Sequence, residues 1–319
     1  MAANRTAYLL RSKLRPRRST MYVPGVNDKA LAKVRATLPC DSFIIDLEDA
    51  VASNAKDHAR DNVRRFLHAK VPNRDLDQRE IMVRINALDT PWGLADLSMV
   101  SAAAGVDTVA VPKVETASDV WRIERHLEEM SRAAAASSSY SNDSTPMGIA
   151  CMIETPLGVL NAAEIANASD NVVCLIVGTS DLTNDLKAKH TADRKPMELS
   201  LGMCILAARA HGVAVLDGVH LNLSDPKEFL HHCEQGRNMG FDGKTLIHPK
   251  QIQDTNTVYG VDNDAVKHAL QIVQEFEKAE SNGEGVCVVD GQLIENLHAD
   301  GAKRLLLFAD QIAKVEQLP

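Results

Sequence analysis

Short apolar runs rich in β-branched residues recur along the chain up to residue 249, and turn residues bound each of them. Such runs predict buried β-strands. Most of them are nearly continuous in Val, Ile and Leu, which favours parallel strands that are covered on both faces. Eight runs stand out, at residues 19–25, 43–49, 81–86, 107–115, 148–155, 172–181, 213–219 and 243–249.

Apolar residues recur at helical spacing between these runs, and the pattern there predicts helices. Strands that alternate with helices form βαβ units, and eight units in about 230 residues fit a closed barrel better than an open doubly wound sheet. We therefore predict a (β/α)8 TIM barrel over residues 18–262. The predicted helices cover residues 27–38, 56–69, 117–136, 157–168, 197–212 and 226–240. A long mobile loop is predicted within residues 131–148, which pass from Ala-rich to Ser-rich sequence.

Residues 263–319 continue beyond what a barrel needs. A helical pattern at 265–282 is followed by the pair Asp290-Gly291 between two short apolar runs, which predicts a hairpin. A last amphipathic helix is predicted after it. The fold class is thus an α/β barrel with a C-terminal helical and hairpin extension.

The first residues are strongly basic. Residues 1–18 contain six Arg and Lys and no acidic residue. Residues 1–17 are either a basic lead-in to the first strand or an organellar targeting segment. The first alternative predicts a cytoplasmic protein, and the second predicts the mitochondrial matrix.

Composition excludes several classes of partner. A net charge of −8 argues against a broad nucleic-acid-binding surface. No stretch approaches the roughly 18 consecutive apolar residues of a membrane helix, so we expect no membrane partner. The six cysteines include no C-x-x-C pair, which argues against a zinc knuckle or a disulfide framework and predicts free thiols.

Charged residues gather where the predicted strands end, as at the catalytic face of a barrel. Asp46, Glu48 and Asp49 close the second strand and would repel one another unless cationic side chains such as Arg84 and Lys113 lie among them. Glu154 and Asp181 close neighbouring strands, and hard oxygen ligands from two strands suit Mg²⁺. The structural alternative is that these acids cap strands and helices.

Seven motifs together resemble one known family. They are RPRRSTMYVPG (15–25), DLEDAVA (46–52), VRIN (83–86), VPKVE (111–115), IET (153–155), GTSDL (178–182) and FDGKTLIHPKQI (241–252). In this order they resemble the citrate lyase β-subunit-like family of the HpcH/HpaI aldolases, which includes malyl-CoA and citramalyl-CoA lyases. The resemblance covers residues 15 to 305 approximately.

The resemblance implies a barrel that assembles as a homotrimer or hexamer and binds Mg²⁺, with Mn²⁺ as an alternative ion. It implies cleavage of a 3-hydroxyacyl-CoA thioester into acetyl-CoA and a 2-oxo acid. Position by position, it implies that Glu154 and Asp181 hold the metal and that Arg84 contacts the substrate. The residues that it places on the CoA thioester are Tyr22, Lys29, Lys33, Ile247 and His248.

The resemblance also gives the extension a role, because family members deliver an Asp from it into a neighbouring subunit's active site. The matching position holds Glu295. We expect Asp46 or Glu48, or alternatively a metal-bound hydroxide, to take the substrate's hydroxyl proton, and Glu295 to protonate the enolate. Asp46, Glu48 and Asp49 would also order Arg84 and metal-bound water.

Three alternatives keep the same scaffold. The protein could hydrolyse malyl-CoA as a thioesterase, because water could replace the carbon leaving group. It could be a class II aldolase acting on free 2-oxo acids, in which case Lys29 and Lys33 would have no phosphate to bind. It could also be the β-subunit of a citrate lyase that acts on a citryl-carrier protein.

Overall fold

A computed structural model describes residues 15–36, 38–68, 79–103, 105–137 and 147–317. Eight parallel strands close into a barrel, in which each strand pairs with the next and β8 pairs with β1. The predicted (β/α)8 fold is therefore confirmed. The strands are β1 Ser19–Pro24, β2 Ser42–Asp46, β3 Glu80–Arg84, β4 Thr108–Val111, β5 Gly148–Ile153, β6 Val172–Val177, β7 Ala214–Asp217 and β8 Gly243–Leu246.

Helices surround the barrel. They are α1 Asp28–Ala36, α2 Lys56–His68, α3 Gly93–Ser101, α4 Ala117–Ser137, α5 Pro156–Leu160, α6 Ala162–Ala166, α7 Thr179–Asp185, α8 Glu198–His211, α9 Pro226–Met239 and α10 Ile252–Val258. The single helix predicted over 157–168 is wrong, because the chain forms two short helices that meet at Asn161. The helices α3, α7 and α10 were not predicted.

Both faces of the strands are buried, which explains their continuous apolar sequence. Along β2, Ile44 faces the barrel interior, where it joins Met82, Ala150 and Met152. Phe43 and Ile45 point the other way and join the larger core between the strands and the helices. The period of two in a strand produces this division.

All eight strands end before the predicted runs do, and local chemistry explains two of the larger differences. β4 stops at Val111 because Pro112 has no N–H to donate and Lys113 adopts a positive φ of 50°. β6 stops at Val177 because Gly178 begins the turn into α7. β2 stops at Asp46, so the acids that follow it lie in a loop.

The end of the basic N-terminal segment is anchored at the bottom of the barrel. Arg17 pairs with Glu80, at 2.5 Å between Nε and Oε2, and both side chains are fully buried. Arg18 pairs with Asp41 and also reaches Glu316 of the last helix at 2.9 Å. Most of the segment 1–17, which is either a lead-in or a targeting segment, lies outside the described residues, because the structure describes the chain from residue 15 onward.

The extension consists of α11 Asn263–Ser281, the antiparallel strands β9 Val286–Val289 and β10 Gln292–Glu295, and α12 Asn296–Glu316. The predicted hairpin is present, and Asp290 and Gly291 both have positive φ, as its tight turn requires. The extension has a small core of its own, formed by Phe276, Val289, Ile294 and Ala299.

Two further expectations concern cysteines and loops. All six cysteines are free, as predicted. The loop predicted within 131–148 falls largely outside the described residues, and α4 continues to Ser137. Among the residues that the structure describes, no helix is long and apolar enough to cross a membrane.

Candidate active site

Arg84 lies at the C-terminal end of β3 and is held by the acids that follow β2. Its Nε and Nη2 donate to the two oxygens of Asp46 at 2.7 and 2.6 Å, a bidentate pair between buried side chains. Nη1 lies 2.9 Å from Glu48 and 3.1 Å from Asp49. A cationic side chain thus lies among the three acids, as their spacing led us to expect.

The loop after β2 has a rigid support. The Asp46 carboxylate also accepts the N–H groups of Glu48 and Ala50, at 2.8 and 3.0 Å. Lys56 donates from Nζ to the backbone carbonyls of Leu47 and Glu48, at 2.9 and 2.7 Å. Lys56 is the first residue of α2 and is buried. A lysine at the start of a helix usually faces solvent, so the sequence did not indicate this role.

Glu154 immediately follows β5 and is buried. Its Oε1 accepts the backbone N–H of Lys113 at 2.7 Å. Burial raises the pKa of Glu154 to about 7, while the Lys113 N–H and the Arg84 guanidinium oppose that rise. Burial likewise raises the pKa of Glu48 to about 8, against the effect of Arg84. Two carboxyl groups at the barrel mouth can therefore exchange protons near neutral pH.

The prediction that Asp181 ends a strand is wrong, because Asp181 lies in the first turn of α7. Its Oδ2 is 3.4 Å from Nζ of Lys113, and both side chains are about half exposed. Gly178 provides the N-cap of α7, so Asp181 is not the cap that the structural alternative proposed. Lys113 therefore contacts both acids that the resemblance places on a metal.

The donor set at this mouth fits a hard divalent cation. Glu154 and Asp181 offer carboxylate oxygens. Burial raises the pKa of Glu154, so this carboxyl group is partly protonated near neutral pH, and a bound cation would favour its charged form. No group of three or more His, Cys, Asp or Glu residues within the described ranges is arranged to hold a metal. Two carboxylates with the remaining positions left to water or substrate is the arrangement that Mg²⁺ prefers.

The residues predicted to contact CoA lie on one side of the barrel, where β8 pairs with β1. The Tyr22 ring lies beneath the Arg84 guanidinium, with 5.0 Å between ring centre and Cζ. Lys29 and Lys33 are exposed one turn apart on α1. Ile247 and His248 follow β8, and both N–H groups donate to Gln251 at 3.1 Å.

Glu295 lies at the junction of the hairpin and α12, exposed to solvent. Val286 is its cross-strand partner, and Val288 pairs with Leu293 two residues further along. Because side chains alternate along a strand, these four share one face of the hairpin. On that face Val288 is 64% and Leu293 56% exposed.

Sequence reasoning missed a second charged group behind β7. Asp217 accepts from Arg194 at 2.8 and 2.5 Å and from Lys244 at 2.8 Å, and all three side chains are buried. Burial opposes the charge of Asp217, but the two cations lower its pKa to about 2. Asp217 ends β7, whereas Arg194 lies in a loop where no sequence pattern marks it.

Comparisons with known proteins agree on one family. The family model for HpcH/HpaI aldolase/citrate lyase matches residues 18–249. A (3S)-malyl-CoA thioesterase of Cereibacter sphaeroides is 41% identical over 93% of this chain and 96% of its own length. A citrate lyase subunit beta of Leuconostoc mesenteroides is 34% identical over 93% of this chain and 94% of its own.

Solved structures lead to the same family. The CitE protein of Mycobacterium tuberculosis, in complex with magnesium, acetoacetate and coenzyme A, has a TM-score of 0.68 and 26% identity. The match covers 93% of this chain and 98% of that one. A citrate lyase beta subunit from M. tuberculosis, complexed with oxaloacetate and magnesium, has a TM-score of 0.63 and 29% identity, over 78% of this chain and 99% of that one.

Proposed function

Because the chain belongs to the HpcH/HpaI aldolase/citrate lyase family, we propose that it is a Mg²⁺-dependent carbon–carbon lyase. It cleaves a 3-hydroxyacyl-CoA thioester of the malyl-CoA or citramalyl-CoA type into acetyl-CoA and a 2-oxo acid. The observation that carries the proposal is the convergence of a buried arginine, Arg84, and the carboxylates of Glu48 and Glu154 at the barrel mouth.

Glu154 and Asp181 would hold the cation. A divalent ion bound there supplies Lewis-acid polarisation of substrate oxygens. Glu154 is prepared for this role because its Oε1 already accepts the Lys113 N–H, which fixes the carboxylate before a ligand arrives. Asp181 sits on the first turn of a helix, so its backbone is fixed as well.

Arg84 stabilises the negative charge that develops on the thioester oxygen as the carbon–carbon bond breaks. A preorganised donor lowers the barrier because it needs no reorientation during the reaction. Asp46 supplies that preorganisation through its bidentate pair, and the Tyr22 ring supports the guanidinium from below. Burial opposes the positive charge of Arg84, but Asp46 outweighs this and raises its pKa, so Arg84 stays charged.

Two proton transfers complete the reaction. Glu48 takes the proton of the substrate hydroxyl, whose oxygen becomes the carbonyl of the 2-oxo acid as the bond breaks. A pKa of about 8 suits a group that gives and takes protons near neutral pH. Glu295 of a neighbouring subunit then protonates the enolate carbon, and acetyl-CoA is released.

The CoA moiety binds on the side of the barrel where β1 meets β8. Lys29 and Lys33 are exposed on one helix and would contact its phosphates, while Tyr22, Ile247 and His248 would contact the thioester arm. Among relatives, the CitE structure contains coenzyme A together with magnesium, which supports this choice of ligand.

The extension completes the site of a neighbour in a homotrimer or hexamer. The hairpin face that carries Glu295 is lined by exposed apolar side chains, Val286, Val288 and Leu293. Such a face gains stability when another subunit covers it. An acid on this face would enter the neighbouring mouth as the two subunits pack.

Thioester hydrolysis is the second candidate, because the 41% identical relative is a malyl-CoA thioesterase. The same charged mouth could stabilise an oxyanion while water attacks the thioester carbon. Products distinguish the two reactions, since hydrolysis gives free CoA and malate whereas cleavage gives acetyl-CoA.

The test is a mass-spectrometric screen of malyl-, citramalyl-, β-methylmalyl- and citryl-CoA with Mg²⁺, in which both sets of products are scored. We expect EDTA to abolish turnover and Mg²⁺ or Mn²⁺ to restore it. Glu154→Gln should lose activity, while Glu164→Gln, which changes an acid on α6, should not. Full turnover by a metal-free Glu154→Gln protein would overturn the proposal.

A further inference from the structure

Lys113 occupies an unusual backbone position at the barrel mouth. Its φ of 50° lies in the left-handed region, which is unfavourable for residues other than glycine. The next residue, Val114, donates its N–H to the Met152 carbonyl of β5 at 3.1 Å, so the turn is fastened to the neighbouring strand. A residue that is held in a disfavoured conformation beside a functional site points to a use for that residue.

Two contacts show what the turn achieves. The N–H of Lys113 donates to Oε1 of Glu154 at 2.7 Å. The side chain extends in addition to Asp181, with 3.4 Å between Nζ and Oδ2. A glycine would satisfy the backbone and could make the first contact, but only a long cationic side chain makes the second.

We propose that Lys113 is a positioning residue that stands in for the divalent cation. Its N–H fixes Glu154, and its ammonium pairs with Asp181 until a metal ion displaces it. The inference rests on the proposed function, because it needs Glu154 and Asp181 as the metal ligands. Lys113 thereby keeps the ligands in place before metal binding and weakens that binding, since two cations compete for one carboxylate.

This competition predicts that removing the Lys113 side chain increases the affinity for the metal ion. Removing a cationic side chain that merely stabilised the turn would leave metal affinity unchanged or lower it. Removing a competing cation raises it. Because the ion pair is half exposed, the expected effect is small, about threefold, which is typical of exposed pairs.

The experiment is calorimetric titration of the full chain with MgCl₂ alone at low ionic strength, repeated with MnCl₂ followed by electron paramagnetic resonance of the free ion. Lys113→Met should bind either ion about threefold more tightly than wild type. Lys113→Arg, which keeps the charge, should remain near the wild-type affinity. Added KCl should reduce the difference, because salt screens exposed charges.

A double-mutant cycle tests the assigned partner. Asp181→Asn removes a proposed ligand and should weaken metal binding. It also removes the ion pair of Lys113, so Lys113→Met should raise metal affinity less in this background than in wild type. Lys113→Gly removes the same charge and suits the positive φ, so it replaces Lys113→Met if that variant does not fold.

The two proposals fail differently. If wild type binds Mg²⁺, Glu154→Gln abolishes the binding, and Lys113→Met and Lys113→Gly bind no more tightly than wild type, only the inference about Lys113 is overturned. If wild type binds neither ion, both the proposed metal site and the inference about Lys113 are overturned. The same holds if Glu154→Gln binds the ion as tightly as wild type does.

Discussion

Arg84 shows how a single side chain gains its properties from neighbours that are distant in sequence. The bidentate pair with Asp46 fixes the plane of the guanidinium, and Glu48 and Asp49 hold its third nitrogen. The acids of the DLED segment therefore do not repel one another without compensation. They orient the Arg84 guanidinium, which the proposed chemistry requires.

Arg84→Lys tests this orientation, because lysine keeps the charge but loses the planar fork. We expect kcat to fall about 100- to 1,000-fold, the usual effect of removing a preorganised donor to a developing oxyanion. The measurement is steady-state turnover of the substrate found in the screen. Arg64→Lys changes an exposed arginine paired with Asp61 and should leave kcat unchanged. Equal effects of the two substitutions would show that the fork has no role.

Asp217 allows a prediction about pH. Its pKa falls from 3.8 to about 2 on folding, so the unfolded chain takes up the proton first as the pH is lowered. The resulting stabilisation, about 2 kcal/mol, is complete above pH ~4 and is lost as the pH falls toward 2. Denaturant unfolding at a series of pH values should show this loss in wild type.

Asp217→Asn should lack that pH-dependent step. It should also lower the free energy of unfolding at neutral pH by about 3 to 5 kcal/mol, since it leaves Arg194 and Lys244 buried without their carboxylate. Asp264→Asn, which alters an exposed acid, serves as the control. If both variants retain the wild-type acid profile, the ion group does not contribute as described.

The sequence predicted where the charged residues of the active site lie, but it did not predict which buried charges pair with one another. DLED, VRIN and VPKVE follow apolar runs, so the ends of parallel strands bring them to one face. The ion pair of Arg17 with Glu80 could not be anticipated, because 63 residues separate the two along the chain. Sequence spacing carries no information about which buried charges meet once the barrel closes.

The turn from β6 into α7 illustrates the same limit for whole elements. The run at 172–181 looked like one strand, yet six residues form the strand and Asp181 lies on a helix. Gly178 makes the change of direction beside Glu154. A side chain there would overlap the Glu154 carboxylate and come within 2.5 Å of its Cβ.

Gly178→Ala should therefore displace Glu154 without removing any charged group. We expect the affinity for Mg²⁺ to fall at least tenfold, a loss of about 1.4 kcal/mol or more, with the circular dichroism spectrum retained. The matched control is Gly202→Ala in α8, where an added Cβ meets open space. That change should stabilise the fold by about 0.5 to 1 kcal/mol. Unaltered metal binding by Gly178→Ala would contradict the assignment of Glu154 as a ligand.

At the scale of the whole molecule, the barrel followed from eight apolar runs, and the hairpin followed from Asp290-Gly291. The sequence alone did not show which side chains share the exposed face of the hairpin, because that depends on how the two strands pair. Val286 and Glu295 are partners there, and Val288 pairs with Leu293. An acid on an exposed apolar face suggests that the functional unit contains more than one chain.

Subunit complementation tests that suggestion. Glu154→Gln removes a proposed metal ligand within a barrel, and Glu295→Gln removes the proposed acid delivered by a neighbour, so each homogeneous variant should be nearly inactive. When the two are unfolded together and refolded as a mixture, some sites combine an intact barrel with an intact extension. Random assembly of equal amounts should restore roughly a quarter of wild-type turnover. Each working site needs the Glu295→Gln chain for its barrel and the Glu154→Gln chain for the neighbouring extension, and each of these has a chance of about one half.

A mixture of Glu154→Gln with Asp181→Asn places both defects in the barrel and should restore nothing. Were the first mixture equally inactive, Glu295 would act within its own chain or not at all.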